Sequence, residues 1–440
     1  MDAGTRQRLL GLNPWLSDPA RFAQEIARRV PERFIPRKID PTGFDDPRKA
    51  KLIVGPRQSG KSTFVWTLLK DRSPVTVLHL NCEDSLVRNW CGSAAGMLTD
   101  LETEFRGIKT IFFEEAQHLQ SAGLLVKGLV DARRAFDLLV TGSSTYHLDA
   151  NVRESLAGRA ERRLVLPFSL SEIAGAEKGG VPAVKIARKA ATAARMLEIG
   201  GYPDVYLGAD PVHELAGLLE ALVIRDVSDR HRIARPDAFR TLLRLAAGQT
   251  GSLVNFAEWA SHAGVSASTV ANYLNILEES WDVKLLPVFA GGRRLEITSA
   301  RKIYFFDIGI RNALLGRFDP LEQRGADSGP LVEGFVFTEI TKSIPSSWTV
   351  HYWRSKGGAE VDFVLVSGSG IVAVEVKTGP VRGIPRSLRS FIDAYSPHTA
   401  LLVSPSVTDP VSEKVAETRV VRVPISEVGA KVEELCGLPN

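Results

Sequence analysis

The stretch Lys51-Leu-Ile-Val54-Gly55-Pro-Arg-Gln-Ser-Gly60-Lys61-Ser62-Thr63 decides the first half of the chain. From Gly55 to Ser62 it fits GxxxxGK[ST] in full. The apolar run Lys51–Val54 before it reads as a strand and Thr63 to Leu69 after it as a helix, which is the setting this motif needs. Glycines let successive backbone N–H groups curl around a phosphate chain, and the helix N-terminus adds its positive end. The expected contacts of an ATP molecule are therefore Gly55, Pro56, Arg57, Gln58, Ser59, Gly60, Lys61, Ser62 and Thr63. Lys61 would neutralise the β- and γ-phosphates, and Ser62 would ligate Mg²⁺.

A phosphate loop of this kind works with a second strand that ends in acids. Thr110-Ile-Phe-Phe-Glu114-Glu115 supplies one. Glu114 is expected to hold Mg²⁺, directly or through water, and Glu115 to polarise the attacking water as general base. Further on, Thr141-Gly142-Ser143-Ser144-Thr145 ends another apolar strand, and Ser143 or Ser144 is placed to sense the γ-phosphate if the segment is more than a turn. Ser155-Leu-Ala-Gly158-Arg159 follows. Arg159 is a candidate to reach a neighbouring subunit's phosphate and stabilise transition-state charge, or else a salt-bridged surface arginine.

Outward from these motifs, short runs rich in Val, Ile, Leu and Phe alternate with helical segments. The strand candidates are Lys51–Val54, Val75–Leu80, Thr110–Phe113, Leu138–Thr141 and Arg163–Leu166. That is the pattern of an α/β unit with a buried parallel sheet and helices on both faces. Residues 1–45 read as a helical segment with a Pro-bearing linker, 46–175 as the nucleotide-binding core, and 176–235 as a helical connector.

Residues 236–316 change pattern. Asn255–Gly264 and Ser266–Ser280 read as helix-turn-helix, with Gly264 ending the first helix and Ser266 capping the second. Val270, Tyr273, Leu274 and Leu277 fall at helical spacing and point inward. Ser268, Thr269, Asn272 and Asn275 are left partly outward. Strands flanking Gly291-Gly-Arg293-Arg294 complete the shape of a winged helix with a basic tip, and Arg293, Arg294, Arg301 and Lys302 are candidates to meet DNA phosphates. Glu278, Glu279 and the lack of Arg or Gln on the second helix speak against sequence-specific base reading. Winged helices also dock proteins, so a protein partner stays open.

After the polar linker Gly316 to Gly329, residues 330–440 form a last mixed α/β unit. Ser367-Gly-Ser-Gly370 separates two apolar runs, Glu360-Val-Asp362-Phe-Val-Leu-Val and Val372-Ala-Val-Glu375-Val-Lys377, which should pair as a hairpin. Alternation along a strand puts Glu375 and Lys377 on one face and Val374 and Val376 on the other. An acid and a lysine set among valines are expensive to bury without a purpose.

Two resemblances follow from these residues. The order Gly-Pro-Arg-x-x-Gly-Lys-Ser/Thr, acidic strand end, Thr-Gly-Ser-Ser, Leu-Ala-Gly-Arg and Leu166-Pro-Phe-Ser-Leu-Ser-Glu-Ile173 is similar to a family of prokaryotic AAA+ ATPases, as are Gly200-Gly201-Tyr202-Pro203 and Ile224-Arg225-Asp226. That likeness implies an ASCE-type P-loop ATPase, a winged-helix segment and a nuclease-like C-terminal fold. Most such relatives carry Asp where this chain has Glu114, one methylene longer, which touches hydrolysis rather than binding. The hairpin with its flanking acids resembles the PD-(D/E)xK nuclease superfamily, of restriction-endonuclease-like fold. By that likeness Asp362 is the strand acid, Glu375 and Lys377 the E-x-K, and Glu333 the upstream helix acid. Asp362 and Glu375 would then bind Mg²⁺ or Mn²⁺, with Lys377 orienting the attacking water.

Bulk properties bound the rest. The 440 residues, 44% hydrophobic and 24% charged, suit an ordinary globular protein of several domains. No apolar run reaches the ~18 residues that span a bilayer, and Met1 to Leu16 lacks a signal core. A cytoplasmic protein with no membrane partner is expected. Cys82, Cys91 and Cys436 form no ligand cluster and suggest no disulfide framework. A net charge of +4 permits nucleic-acid binding without requiring it. AAA+ sites commonly complete themselves across subunits, which favours a homo-oligomer, here a dimer. The functional expectation is an ATP-dependent DNA-binding ATPase with metal-dependent endonuclease activity, in defence or genome maintenance. Its rival is a non-nucleolytic ATP-driven regulatory switch, binding DNA or protein, with a degenerate nuclease fold.

Overall fold

A computed structural model describes residues 1–39, 46, 48–132, 134, 136–142, 156, 158–177, 179–222, 233–289, 291, 300–368 and 370–437. The chain divides into two compact units, 1–166 with 279–281 and 167–278 with 282–440. The stretches expected as connector, helix-turn-helix and C-terminal domain fall within the second unit, apart from Glu279 and Ser280 at the end of the helix-turn-helix.

The first unit is built on a five-stranded sheet of order β2-β3-β4-β1-β5. Its strands are β1 Ala50–Val54, β2 Val77–Asn81, β3 Thr110–Glu114, β4 Asp137–Gly142 and β5 Ala160–Leu164, all paired in parallel. Helices α1 Ala3–Leu12, α2 Ala20–Arg29, α3 Lys61–Leu69, α4 Ser85–Trp90, α5 Ala94–Thr103 and α6 Ala122–Asp131 accompany it. Neighbouring side chains of β3 feed two cores, as strand alternation requires. Phe112 joins Trp15, Trp66 and Val77, while Phe113 joins Leu78, Leu80, Met97 and Val126.

Two expectations shift here. Strand β2 begins at Val77, because Pro74–Thr76 forms a 3-10 turn. Strand β5 covers Ala160–Leu164 rather than Arg163–Leu166. It lies at the sheet edge and is only half buried, so charged Glu161, Arg162 and Arg163 are tolerated where a central strand would exclude them. The expected separate N-terminal segment is also partly absorbed into the unit. Trp15, fully buried, donates its indole N–H to Val77 O at 2.9 Å, and Asn13 exchanges hydrogen bonds with the His79 backbone at 2.9 and 2.6 Å.

The second unit opens with α7 Leu170–Ala176, α8 Pro182–Ile199, α9 Pro203–Leu207 and α10 Pro211–Ala221. Ser169 and Glu172 form a reciprocal capping box at the head of α7. There follow α11 Pro236–Gly248, α12 Phe256–Ala263, α13 Ala267–Glu279, β6 Val283–Leu286, β7 Lys302–Phe305 and α14 Ile308–Leu315. Strands β6 and β7 pair antiparallel. Phe239, Leu242, Trp259, Val270, Leu274, Leu277, Ile303 and Phe305 share one core, which fixes these helices onto the small sheet. Gly200 has φ +74°, and a Cβ there would stand 2.1 Å from Asp307 Oδ1. Buried Asp307 needs that approach to accept the Gly201 and Gly309 N–H groups, each at 2.8 Å. The Gly200-Gly201 pair is thus a packing requirement.

The remainder comprises α15 Ser328–Ser343, β8 Thr349–Arg354, β9 Glu360–Ser367, β10 Gly370–Val376, α16 Arg386–Tyr395, β11 Thr399–Ser404, β12 Val411–Val415, β13 Thr418–Pro424 and α17 Val428–Cys436. Its six-stranded sheet has the order β12-β13-β11-β10-β9-β8. The expected hairpin is present: β9 and β10 pair antiparallel with Ser367 opposite Gly370. Strand β10 then runs parallel to β11, and β11 to β13. The sheet order puts the E-x-K strand between its hairpin partner and a parallel neighbour.

Candidate functional sites

The phosphate loop has the backbone its sequence demands. Gly55 (φ +148°) passes so close to Val165 that a Cβ would meet the carbonyl oxygen at 2.1 Å. Gly60 (φ +91°) turns the chain into α3 through the left-handed region. Gln58 enters that region too, at φ +56°. Pro56, Ser59 and Lys61 are buried, whereas Arg57, Ser62 and Thr63 are partly exposed. Lys61 Nζ donates to Pro56 O at 2.7 Å, folding back across its own loop.

Glu114 lies beside this loop at the end of β3. His79 Nε2 stands 2.8 Å from its Oε2, Arg29 Nη1 donates at 3.4 Å, and the Ser62 hydroxyl also hydrogen-bonds it. Burial alone would raise this carboxyl, but the hydrogen bonds of His79 and Ser62 and the charges of His79 and Arg29 prevail, and its pKa falls to about 2. The carboxylate expected at the Mg²⁺ position is therefore ionised and touching the expected Mg²⁺ serine. Glu115 adopts φ +56°, unusual for a residue with a side chain. Its N–H donates to Thr141 Oγ1 at 3.2 Å, and Gln117 Nε2 donates to its carboxylate. Thr141, at the end of the strand between β1 and β3, is thus the polar side chain that meets Glu115. Ser143 lies outside the described residues. Arg159 pairs with Asp131 at 2.6 Å, as a surface arginine would.

Glu115→Gln keeps the shape of that corner and removes its basicity. ATP should still bind while turnover falls by ~100-fold or more. Equal steady-state turnover by wild type and variant would move the role of base elsewhere.

The second constellation lies wholly in the second unit. Glu333 on α15, Asp362 on β9 and Glu375 on β10 are brought together, and their charges act on one another. Burial first, then Glu333 and Glu375, push the Asp362 carboxyl well above the ordinary aspartate range. Burial likewise raises Glu375, against the opposing pull of Lys377. Asp362 Oδ2 accepts the Val376 N–H at 2.7 Å, which ties the acid across the hairpin. Glu375 Oε1 accepts from Lys377 Nζ at 2.7 Å and from Ser387 Oγ at 2.8 Å. Glu375 Oε2 is buried and accepts no hydrogen bond. Lys377 is half exposed at the rim.

Three contributors were missed. Lys302, expected on a DNA-facing surface, is buried instead, 3.2 Å from Glu333 Oε1 and 2.6 Å from Glu360 Oε1. Tyr304, on the same strand, donates its hydroxyl to Glu333. Glu360 begins β9 and receives Lys302. Among the described residues no group of three or more His, Cys, Asp or Glu side chains is gathered closely enough to hold a metal ion. The carboxylates are held instead by Lys302, Lys377, Tyr304 and Ser387, with Arg354 3.8 Å from Glu360.

In the helix-turn-helix, Gly264 ends α12 in the left-handed region, and Val270, Tyr273, Leu274 and Leu277 are buried as expected. Ser268 and Asn272 are exposed and Thr269 is partly so. Ser266 Oγ accepts the Thr269 N–H at 3.1 Å and bonds the Ser268 and Thr269 hydroxyls, each at 2.8 Å. Those two hydroxyls thus serve the cap. Arg293 and Arg294 lie outside the described residues, as do Ile224, Arg225 and Asp226. No described helix is long and apolar enough to cross a membrane.

Comparison with known proteins matches three stretches of the chain. Residues 47–174 match the AAA domain family, 191–321 a domain of unknown function (DUF8612), and 328–427 another (DUF4143). An uncharacterised protein of Methanocaldococcus jannaschii, MJ1544, is 23% identical over 359 residues, 79% of this chain and 76% of its own. An uncharacterised protein of Mycobacterium tuberculosis, Rv2008c, is 27% identical over 398 residues, 88% of this chain and 83% of its own. Among solved structures, Cdc6p from Pyrobaculum aerophilum is 12% identical with a TM-score of 0.25, covering 66% of this chain and 97% of its own. That score is below the level at which whole folds correspond. The phosphate loop, the five-stranded parallel sheet and the family match together make residues 47–174 an AAA-type P-loop ATPase domain.

Proposed function

We propose that this chain is an ATP-dependent DNA-processing enzyme, in which nucleotide bound at the AAA-type domain controls a metal-dependent endonuclease site in the second unit. The observation that carries the nuclease half is that Glu333, Asp362 and Glu375 lie near enough for their charges to act on one another, with the buried Oε2 of Glu375 accepting no hydrogen bond and Lys377 half exposed beside it. Buried carboxylates repel one another and call for a cation. The topology supports the reading, since acid-bearing β9 and β10 form a hairpin whose second strand continues into a parallel array.

At the ATPase site, Lys61 takes the phosphates, Ser62 and Glu114 hold Mg²⁺, and Glu115, oriented through Thr141, activates water. At the acid site, Asp362 and Glu375 hold Mg²⁺ or Mn²⁺. A divalent ion there supplies stabilisation of charge on the scissile phosphate. Lys377 orients the water and screens the phosphate, while Glu333 completes the acid shell. Helices α11 to α13 with β6 and β7 support a winged-helix reading, with Ser268, Thr269, Asn272, Arg293 and Arg294 towards DNA. We place the protein as a homodimer, in which Arg159 would leave Asp131 to reach the neighbouring nucleotide.

Plasmid nicking with Mg²⁺ or Mn²⁺, with and without ATP, tests the proposal. Cleavage that needs Asp362 supports it, and its absence on every substrate rejects the nuclease half. One observation favours the non-nucleolytic switch as second reading: Lys302 and Lys377 already occupy three of the four carboxylates. Changing Arg293 and Arg294 together to alanine should weaken DNA binding similarly across sequences and lower the salt slope by about 1–2. An unchanged slope in a salt titration would take these arginines off the DNA.

A further inference from the structure

The acid site is completed by a strand from outside its own sheet. Lys302 is 2% exposed on β7, its backbone paired with Leu286 on one side and bridged to Leu253 on the other. A buried ammonium is retained only where it is paired, and this one sits between Glu333 and Glu360. Lys377 takes Glu375 Oε1 at 2.7 Å. What the two lysines leave over is Asp362 and the unpartnered Oε2 of Glu375. With every group ionised, the carboxylates of Glu333, Glu360, Asp362 and Glu375 outnumber the cations that pair with them, Lys302, Lys377 and Arg354, the last 3.8 Å from Glu360 Oε2. The cluster stays anionic after these pairings, and a divalent cation would be attracted to it.

We propose that Lys302 is the resident counter-ion and positioning residue of the acid site: it neutralises Glu333 and Glu360 from β7 and so directs a single divalent cation to Asp362 and Glu375. This rests on the metal-binding reading given above. The lysine is too deeply buried to meet substrate, so it acts through the carboxylates it holds. It also accounts for the lack of a ready-made three-acid group among the described residues, because the ammonium fixes two of the carboxylates on itself.

The test is Mn²⁺ binding to the full-length protein without nucleotide, measured by isothermal titration calorimetry and thermal melting, with Glu375→Ala defining binding at other sites. Lys302→Met removes the charge and keeps most of the side-chain volume. A lost positive charge within a few ångströms of the ion should tighten Glu375-dependent Mn²⁺ binding by roughly tenfold. That gain should enlarge the metal-induced rise in melting temperature by about 2–4 °C. A purely structural lysine predicts the opposite, a loosened site and weaker binding. Glu360→Gln serves if Lys302→Met does not fold. It removes one negative charge at the half-buried edge of the cluster and should weaken Mn²⁺ binding by a similar factor. Unchanged or weaker binding by Lys302→Met, or unchanged binding by Glu360→Gln, overturns the assignment of Lys302 while leaving the metal reading intact. Wild-type protein with no Glu375-dependent Mn²⁺ uptake overturns the metal reading itself, and this inference with it.

Discussion

Lys61→Ala is expected to lose measurable ATP binding. The side chain is buried at the head of α3, with Nζ on the Pro56 carbonyl at 2.7 Å. It therefore has only to swing from a loop carbonyl to the phosphates that the same loop surrounds. A hydrogen bond to a charged group contributes about 1.5–3 kcal/mol, and the P-loop lysine serves both β- and γ-phosphates. Losing both contacts corresponds to a fall of about 100-fold or more in affinity. The left-handed turn at Gly60 and the tight passage of Gly55 do not depend on the lysine, so the loop should keep its shape. Isothermal titration calorimetry decides the matter. Wild-type affinity in the variant would mean that these glycines cradle something other than a nucleotide.

The phosphate loop was legible because its chemistry is local. One turn of chain must supply the glycines, the lysine and the serine, so their spacing is fixed in the sequence. The partners of Glu114 were not legible for the opposite reason. His79 and Arg29 come from a different strand, β2, and from helix α2, and only the sheet order and the packing of Trp15 and Trp66 bring them in. A lone histidine in the apolar run Val77-Leu-His-Leu-Asn was the available signal. Ser143 and Ser144, the candidates to sense the γ-phosphate, lie outside the described residues, and the polar side chain that meets Glu115 is Thr141. Thr141 ends its strand inside the sheet, opposite Ile53 of the phosphate-loop strand, and so reaches Glu115.

The acid site divides along the same line. Asp362, Glu375 and Lys377 could be paired from sequence because a short turn fixes the hairpin register. Lys302 could not. It follows arginine in a basic stretch, and its burial is decided by Glu333 and Glu360, which enter the chain 31 and 58 residues later. A charge reads as surface until its partner is known.

Asp362→Ala and Glu375→Ala should each abolish DNA cleavage, by about 1,000-fold or more, and leave ATP hydrolysis and folding largely unchanged. A metal ion contributes several kcal/mol to stabilising transition-state charge, and losing that much corresponds to a factor of this size. Both acids are needed because each offers what the other lacks. Glu375 presents a buried oxygen with no other partner, and Asp362 is held across the hairpin by the Val376 N–H. Lys377→Ala should cut poorly but still bind metal. A second readout separates a metal site from an inert acid cluster. The Asp362 carboxyl is raised by burial and by its acidic neighbours, so the folded protein resists its ionisation more than the unfolded chain does. Stability from this group is therefore full below the ordinary aspartate pKa and declines as pH rises towards the raised folded value. Asp362→Asn removes that penalty while still accepting the Val376 N–H, and should melt a few degrees higher than wild type at pH 7 without metal. Added Mn²⁺ should then stabilise wild type and not the variant. Equal cutting of supercoiled, linear and hairpin DNA by wild type and Asp362→Ala would assign cleavage to a contaminant or another site. If neither cuts any substrate with either metal, yet Asp362→Asn still melts higher, the cluster is a repulsive one balanced by its lysines, and the ATP-driven switch is the function to pursue.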